Sequence, residues 1–140
     1  MDADTRSAGD GGRVGTAAVT DHAVARVGEI PNRGRKLVSI EGRSVGLFNV
    51  DGNYFAVRNV CAHQGGPVCE GLLVPRHLAR VGSDRRVTEY LEHDRPVLSC
   101  PWHGWEYDLA TGECLADPER RVATYPVRVE ADQVIVELRT

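Results

Sequence analysis

From His22 onward the apolar residues come in short runs, each bounded by a cluster of turn formers, which is the pattern of strands and tight turns. Residues 23–30 (AVARVGEI) read as a strand ending at Pro31-Asn32-Arg33-Gly34. Residues 36–40 (KLVSI) and 44–50 (SVGLFNV) follow, with Glu41-Gly42-Arg43 as the turn between them. Asp51-Gly52-Asn53 is an Asp-Gly hairpin signal, and residues 54–58 (YFAVR) pair back. Further strand candidates are residues 89–93 and 96–99, then 105–109 and 113–116 around Ala110-Thr111-Gly112. The last pair is 123–130 and 133–138 around Ala131-Asp132. Only residues 75–81 offer a helical reading: Pro75 suits a first helical position, and Leu78 and Val81 lie three apart. Residues 1–20, with four Gly, four Ala and five charged residues and no periodicity, are expected to form a disordered tail.

Composition strengthens the strand reading. The chain has one Met and two Phe, so its core draws on Val, Leu and Ala, and valine favours strands. An all-β domain with many turns is expected over residues 21–140, and 140 residues suffice for one core. Formal net charge is −3, with 17 Lys+Arg against 20 Asp+Glu, which argues against a general nucleic-acid binder. No run approaches the length of a membrane span, and the N-terminus shows neither an apolar h-region nor a twin arginine, so no membrane is expected and a cytoplasmic setting is.

The chemistry lies in two short motifs. Cys61-Ala62-His63 follows the strand YFAVRN, and Cys100-Pro101-Trp102-His103 follows PVLS. Each pair offers one thiolate and one imidazole on a loop at a strand end. Gly65, Gly66, Pro67, Pro101 and Gly104 shape these loops, and glycine lets backbone amides approach sulfur closely. Two sulfur and two nitrogen ligands admit two inorganic readings: a tetrahedral structural zinc, or a [2Fe–2S] centre with two cysteines on one iron and two histidines on the other.

CAHQGG followed by CPWHGW resembles the Rieske family, and Tyr107-Asp108-Leu109 and Thr111-Gly112-Glu113 match that family's hairpin after the second loop. The resemblance covers about residues 22–140. It implies a Rieske-type fold of small antiparallel sheets with cluster loops at 60–71 and 98–107. It further implies one [2Fe–2S] cluster, with Cys61 and Cys100 on the inner iron and His63 and His103 on the outer iron near the surface. Such a centre is neutral when oxidised, since two ferric ions, two sulfides and two thiolates cancel. It gains one negative charge on reduction.

One departure is large: 36 residues separate His63 from Cys100, more than twice the family's usual gap. The surplus is expected as an insertion at about 72–95. Its Arg76, Arg80, Arg85 and Arg86, against Asp84, read either as a solvated loop or as a docking face for an acidic partner. Cys69 and Cys114 lie outside the motifs and are expected as reduced thiols. His22, His77 and His93 are expected on the surface, and Trp102 and Trp105 around the cluster. The quinol-oxidising members bridge their two loops with a disulfide at the positions of Gly66 and Trp102, which this chain lacks. The serine that donates to a sulfide in high-potential members is replaced by Trp105, whereas Tyr107 matches a tyrosine that donates to a cysteine sulfur.

The resemblance therefore implies a one-electron carrier, taking electrons from a flavin-type reductase to a terminal oxygenase or another oxidoreductase. The cluster domain of a terminal oxygenase is disfavoured, because no residues remain for a separate iron site. The small subunit of an assimilatory nitrite reductase is an alternative, and a zinc-bound interaction module is one from another functional class.

Overall fold

The structure is a computed structural model that describes residues 19–62, 65–102 and 104–139, with backbone alone at residues 93 and 94. Among the described residues, ten strands form three antiparallel sheets. The first has the order β1-β10-β9, built from β1 (Val19–Arg26), β9 (Val127–Glu130) and β10 (Gln133–Arg139). The second, β2-β3-β4-β8, comprises β2 (Arg35–Ile40), β3 (Arg43–Val50), β4 (Asn53–Arg58) and β8 (Thr124–Tyr125). The third, β5-β6-β7, comprises β5 (Leu72–Val81), β6 (Val87–Ser99) and β7 (Glu106–Asp108). The only helical piece among the described residues is a 3₁₀ turn at Val68–Glu70.

Strand β3 explains how two cores share one chain. Val45 and Leu47 point into a core with Ala25, Ile40, Ala56, Val134, Val136 and Leu138, between the first two sheets. Phe48 and Val50, on the opposite face, enter a second core with Val57, Val68, Leu98 and Tyr107. Side chains alternate between faces along a strand, so a strand buried on both sides reads as the near-continuous run SVGLFNV. Gly46 lies on the second face, where a Cβ would stand 2.7 Å from the Cys69 side chain.

The hairpins close as their turn residues require. Glu41-Gly42, Asp51-Gly52 and Ala131-Asp132 all have positive φ at both central positions, the geometry that matches the twist of the paired strands.

Elsewhere the structure corrects the expectations. Val19 and Thr20 belong to β1, so the ordered domain starts before His22; residues 1–18 of the expected tail lie outside the described residues. The first strand ends at Arg26, where Val27 and Gly28 turn. Residues 75–81 are strand, not helix: Leu78 and Val81 fall on opposite faces of a ribbon, opposite Tyr90 and Val87 respectively. The two candidates at 89–93 and 96–99 are one 13-residue strand, β6. Pro96 does not break it because the ladder is already interrupted there: Val74 pairs with Val97 and Arg76 with Glu92, so Pro75 alone stands opposite residues 93–96. Residues 123–130 split at Pro126, which has no N–H to donate, and the chain crosses from β4 at β8 to β10 at β9. In place of a strand at 113–116 there are two isolated bridges, Tyr107 with Cys114 and Glu113 with Arg121.

Candidate metal centre

The two Cys/His motifs fold into loops with the same closure. In the first, the Cys61 N–H donates to the Gly66 carbonyl at 2.7 Å and the Gly65 N–H to the Cys61 carbonyl at 2.9 Å. In the second, the Cys100 N–H donates to the Trp105 carbonyl at 2.8 Å and the Gly104 N–H to the Cys100 carbonyl at 2.9 Å. Gly65 and Gly104, each four residues after its cysteine, take φ of +74° and +71°. Glycine adopts that left-handed conformation without steric cost. The three residues spanned by each closure include the motif histidine. His63 and His103 lie outside the described residues.

The described half of the donor set fits a cluster. Cys61 and Cys100 are both buried in the second core, and none of the four cysteines is in a disulfide. The Tyr107 hydroxyl lies 3.0 Å from Cys61 Sγ, as the resemblance implied for this tyrosine. Burial, followed by this sulfur contact, pushes the Tyr107 phenol well above its ordinary range, which keeps its proton available for a bond to the sulfur. Softness of thiolate and imidazole suits iron and zinc alike; the paired loops and the phenol on one sulfur suit a two-iron group held from two sides.

Two neighbours hold the loops together. At Gly66 a Cβ would stand 2.8 Å from the Trp102 indole, so the second loop rests on the backbone of the first. Trp102 is nonetheless 56% exposed, less enclosed than expected, whereas Trp105 packs against the core with Arg120 over its ring at 5.4 Å. At Gly71 a Cβ would stand 1.6 Å from the Ser99 carbonyl oxygen, where the chain leaving the first loop meets the strand entering the second.

Arg35 is a positioning residue that sequence reasoning missed. From β2 it passes over the Phe48 ring at 5.1 Å and donates through Nη1 to the carbonyl of Cys69 at 2.7 Å and to that of Gly71. It clamps the first loop's return from 34 residues away in sequence, and no local pattern signals it. Cys69 itself is structural. Its thiol donates to the Val57 carbonyl at 3.3 Å, its N–H donates to Asn59 Oδ1 at 2.8 Å, and burial pushes its pKa up to about 12. Asp108 anchors the third sheet. Its Oδ1 accepts the Ala110 and Thr111 N–H groups at 2.9 and 3.1 Å, and its Oδ2 faces Arg95 at 3.4 Å and Arg76 at 3.9 Å.

Residues 20–126 match the Rieske [2Fe-2S] domain family. The chain is 28% identical over 111 residues to the ferredoxin component of a naphthalene 1,2-dioxygenase system from Pseudomonas aeruginosa, covering 79% of this chain and 88% of that one. It is 32% identical over 95 residues to a 3-phenylpropionate/cinnamic acid dioxygenase ferredoxin subunit from Shigella flexneri, covering 67% and 72%. Among solved structures, an NADH-dependent nitrite reductase small subunit from Mycobacterium tuberculosis superposes with a TM-score of 0.66 at 23% identity, covering 88% of this chain and 96% of that one, a likeness of fold.

Proposed function

This chain belongs to the Rieske [2Fe-2S] domain family, and on that premise we propose that it is a one-electron carrier, taking electrons from a flavin-type reductase to an acceptor oxidoreductase of the ring-hydroxylating oxygenase kind. The observation that carries the reading is the pair of equivalent loop closures on Cys61 and Cys100. The one [2Fe–2S] cluster of the loaded protein supplies a one-electron couple. Cys61 and Cys100 are its buried thiolate ligands, and His63 and His103, within the spans of the two closures, are its imidazole ligands. The named roles of the relatives, as ferredoxin parts of dioxygenase systems, support the choice of partner. The nitrite reductase alternative has a likeness of fold behind it, at lower identity. No helix among the described residues is long and apolar enough to cross a membrane. A cytoplasmic setting accords with the unbridged thiols of Cys69 and Cys114.

The chain's own contribution is to set the potential and hold the loops. A donor aimed at a cluster sulfur stabilises the added electron and raises the potential. Tyr107 supplies one such bond to Cys61. Trp105 stands where high-potential relatives have serine, with its ring packed against the core and under Arg120. For a one-electron couple about 60 mV corresponds to about 1.4 kcal/mol, the scale of one hydrogen bond. The expected potential at pH 7 is therefore low in the family's span, near or below about −100 mV, by protein-film voltammetry. Tyr107→Phe should lower it by a further few tens of millivolts, about the scale of one hydrogen bond. A wild-type value above zero would contradict a ferredoxin role.

A further inference from the structure

Beyond Pro75 the strands β5 and β6 run on as a two-stranded arm that no other element among the described residues covers. They pair residue for residue from Arg76–Glu92 to Val81–Val87, and every residue from 79 to 91 is exposed. An isolated two-stranded hairpin is marginal in water, since it orders two strands and buries almost nothing. The arm's base is held firmly, by Arg76 and Arg95 on the buried Asp108.

The two faces of the arm differ. Alternation places Arg76, Leu78, Arg80, Thr88, Tyr90 and Glu92 on one face. There Arg80 stacks on the Tyr90 ring at 5.1 Å, opposite the pairing of Leu78 with Tyr90. The other face carries Ala79, Val81, Val87 and Leu91, with a His77–Glu89 pair at 2.7 Å among them. Val81, Val87 and Leu91 are 68%, 63% and 53% exposed. Apolar side chains gathered on one exposed face mark a contact surface.

Charge says what kind. Residues 76–92 hold four arginines against three carboxylates, on a chain whose formal net charge is −3. The structure narrows the basic face expected from the sequence. Arg76 turns inward to Asp108 and Arg80 lies on Tyr90, which leaves the tip, with Arg85 and with Arg86 beside Asp84 at 3.6 Å. The tip also lies far from the cluster loops. Strand β5 spans the same ribbon from Leu72, opposite Ser99, to Val81, opposite Val87, so the tip lies up to about 30 Å from the strand end that leads into Cys100.

We propose that this arm is a second docking element, which seats Val81, Val87 and Leu91 on an apolar patch rimmed by carboxylates on the acceptor oxidoreductase. The proposal rests on the carrier reading. The acceptor is the occupant because the relatives are ferredoxin parts of dioxygenase systems, and an oxygenase that meets both the cluster end and the arm tip presents a surface about 30 Å long. A second copy of this chain fits less well, since arm against arm brings positive charge to positive charge. Contact at the tip is too remote to carry the electron, so it raises affinity and residence time while the cluster end performs the transfer.

The test uses the loaded full-length protein with the reductase and the acceptor oxidoreductase of the same organism, each purified. Val81→Ser, Val87→Ser and Leu91→Ser combined should weaken affinity for the acceptor about tenfold, raising KM and leaving kcat and the reduction potential unchanged. Arg85→Glu with Arg86→Glu should do the same at low salt and flatten the salt dependence. Backbone amides of residues 79–91 should gain hydrogen-exchange protection when the acceptor is added. Wild-type affinity in both variants would overturn the proposal. So would a loss confined to the reductase, or arm amides already protected in a wild-type dimer. If the wild-type protein exchanges electrons with neither partner, the carrier reading fails and the arm's role falls with it.

Discussion

Cys100→Ser is expected to leave a colourless protein, without iron, sulfide or visible absorbance, and Cys61→Ser to do the same. Both sulfurs are buried in the second core, where a serine hydroxyl replaces a soft anionic ligand by a hard neutral one. Cys61→Ser also takes away the sulfur that the Tyr107 hydroxyl meets at 3.0 Å. The loop closures themselves run through backbone groups, so the substitution removes the ligand and spares the scaffold. His63→Ala and His103→Ala should likewise empty the site. Cys69→Ser and Cys114→Ser are the controls: both residues are buried outside the two motifs, and their variants should keep full iron and sulfide content. Iron and sulfide analysis with a visible spectrum reads all six variants, and full cluster retention in Cys100→Ser would remove that cysteine from the ligand set.

Gly71→Ala is expected to be the most damaging glycine substitution in the site region. The backbone there is extended and admits any residue, so the cost is one of space alone. An added Cβ would sit 1.6 Å from the Ser99 carbonyl oxygen, a backbone atom fixed by the pairing of Leu72 with Ser99. The chain must separate exactly where the two loops join, and Arg35 loses its grip on the Gly71 carbonyl. Overpacking typically costs about 1–3 kcal/mol, and a clash against backbone belongs at or above the top of that range. Denaturant unfolding followed by visible absorbance should show a loss of about 3 kcal/mol or more. Gly66→Ala should cost less, because its clash is with the half-exposed Trp102 ring, which can swing away. Equal midpoints for Gly71→Ala and wild type would mean that the approach of the two loops is not what holds the site.

Much of this architecture is legible in the residues, and the failures have physical causes. The strands at the centre could be read because β3 is apolar on both faces and because Asp51-Gly52 leaves a hairpin little choice. The arm could not. Leu78 and Val81 at a spacing of three satisfy a helix as well as a ribbon, and only the pairing with β6 decides between them. Pro75 and Pro96 read as a helix start and a strand start because each normally interrupts a ladder; here they share one interruption. The two Cys/His motifs stood out through their spacing, and it was the resemblance that implied their four residues as ligands. Arg35 and the crowding at Gly71 stayed silent, because each depends on a backbone carbonyl brought near by the fold from a distant part of the chain. Asp108 was noticed as part of a motif, yet its work, binding Arg76 and Arg95 at the base of the arm, shows only once the third sheet is assembled.

The central claim is that two thiolates and two imidazoles hold a two-iron group that takes one electron. Nitrogen hyperfine spectroscopy on the dithionite-reduced protein tests it most directly. The account predicts uptake of one electron per chain, a spin-half signal, and couplings from two distinct imidazole nitrogens. A colourless protein containing zinc, or a reduced cluster showing no imidazole nitrogen coupling, would contradict it.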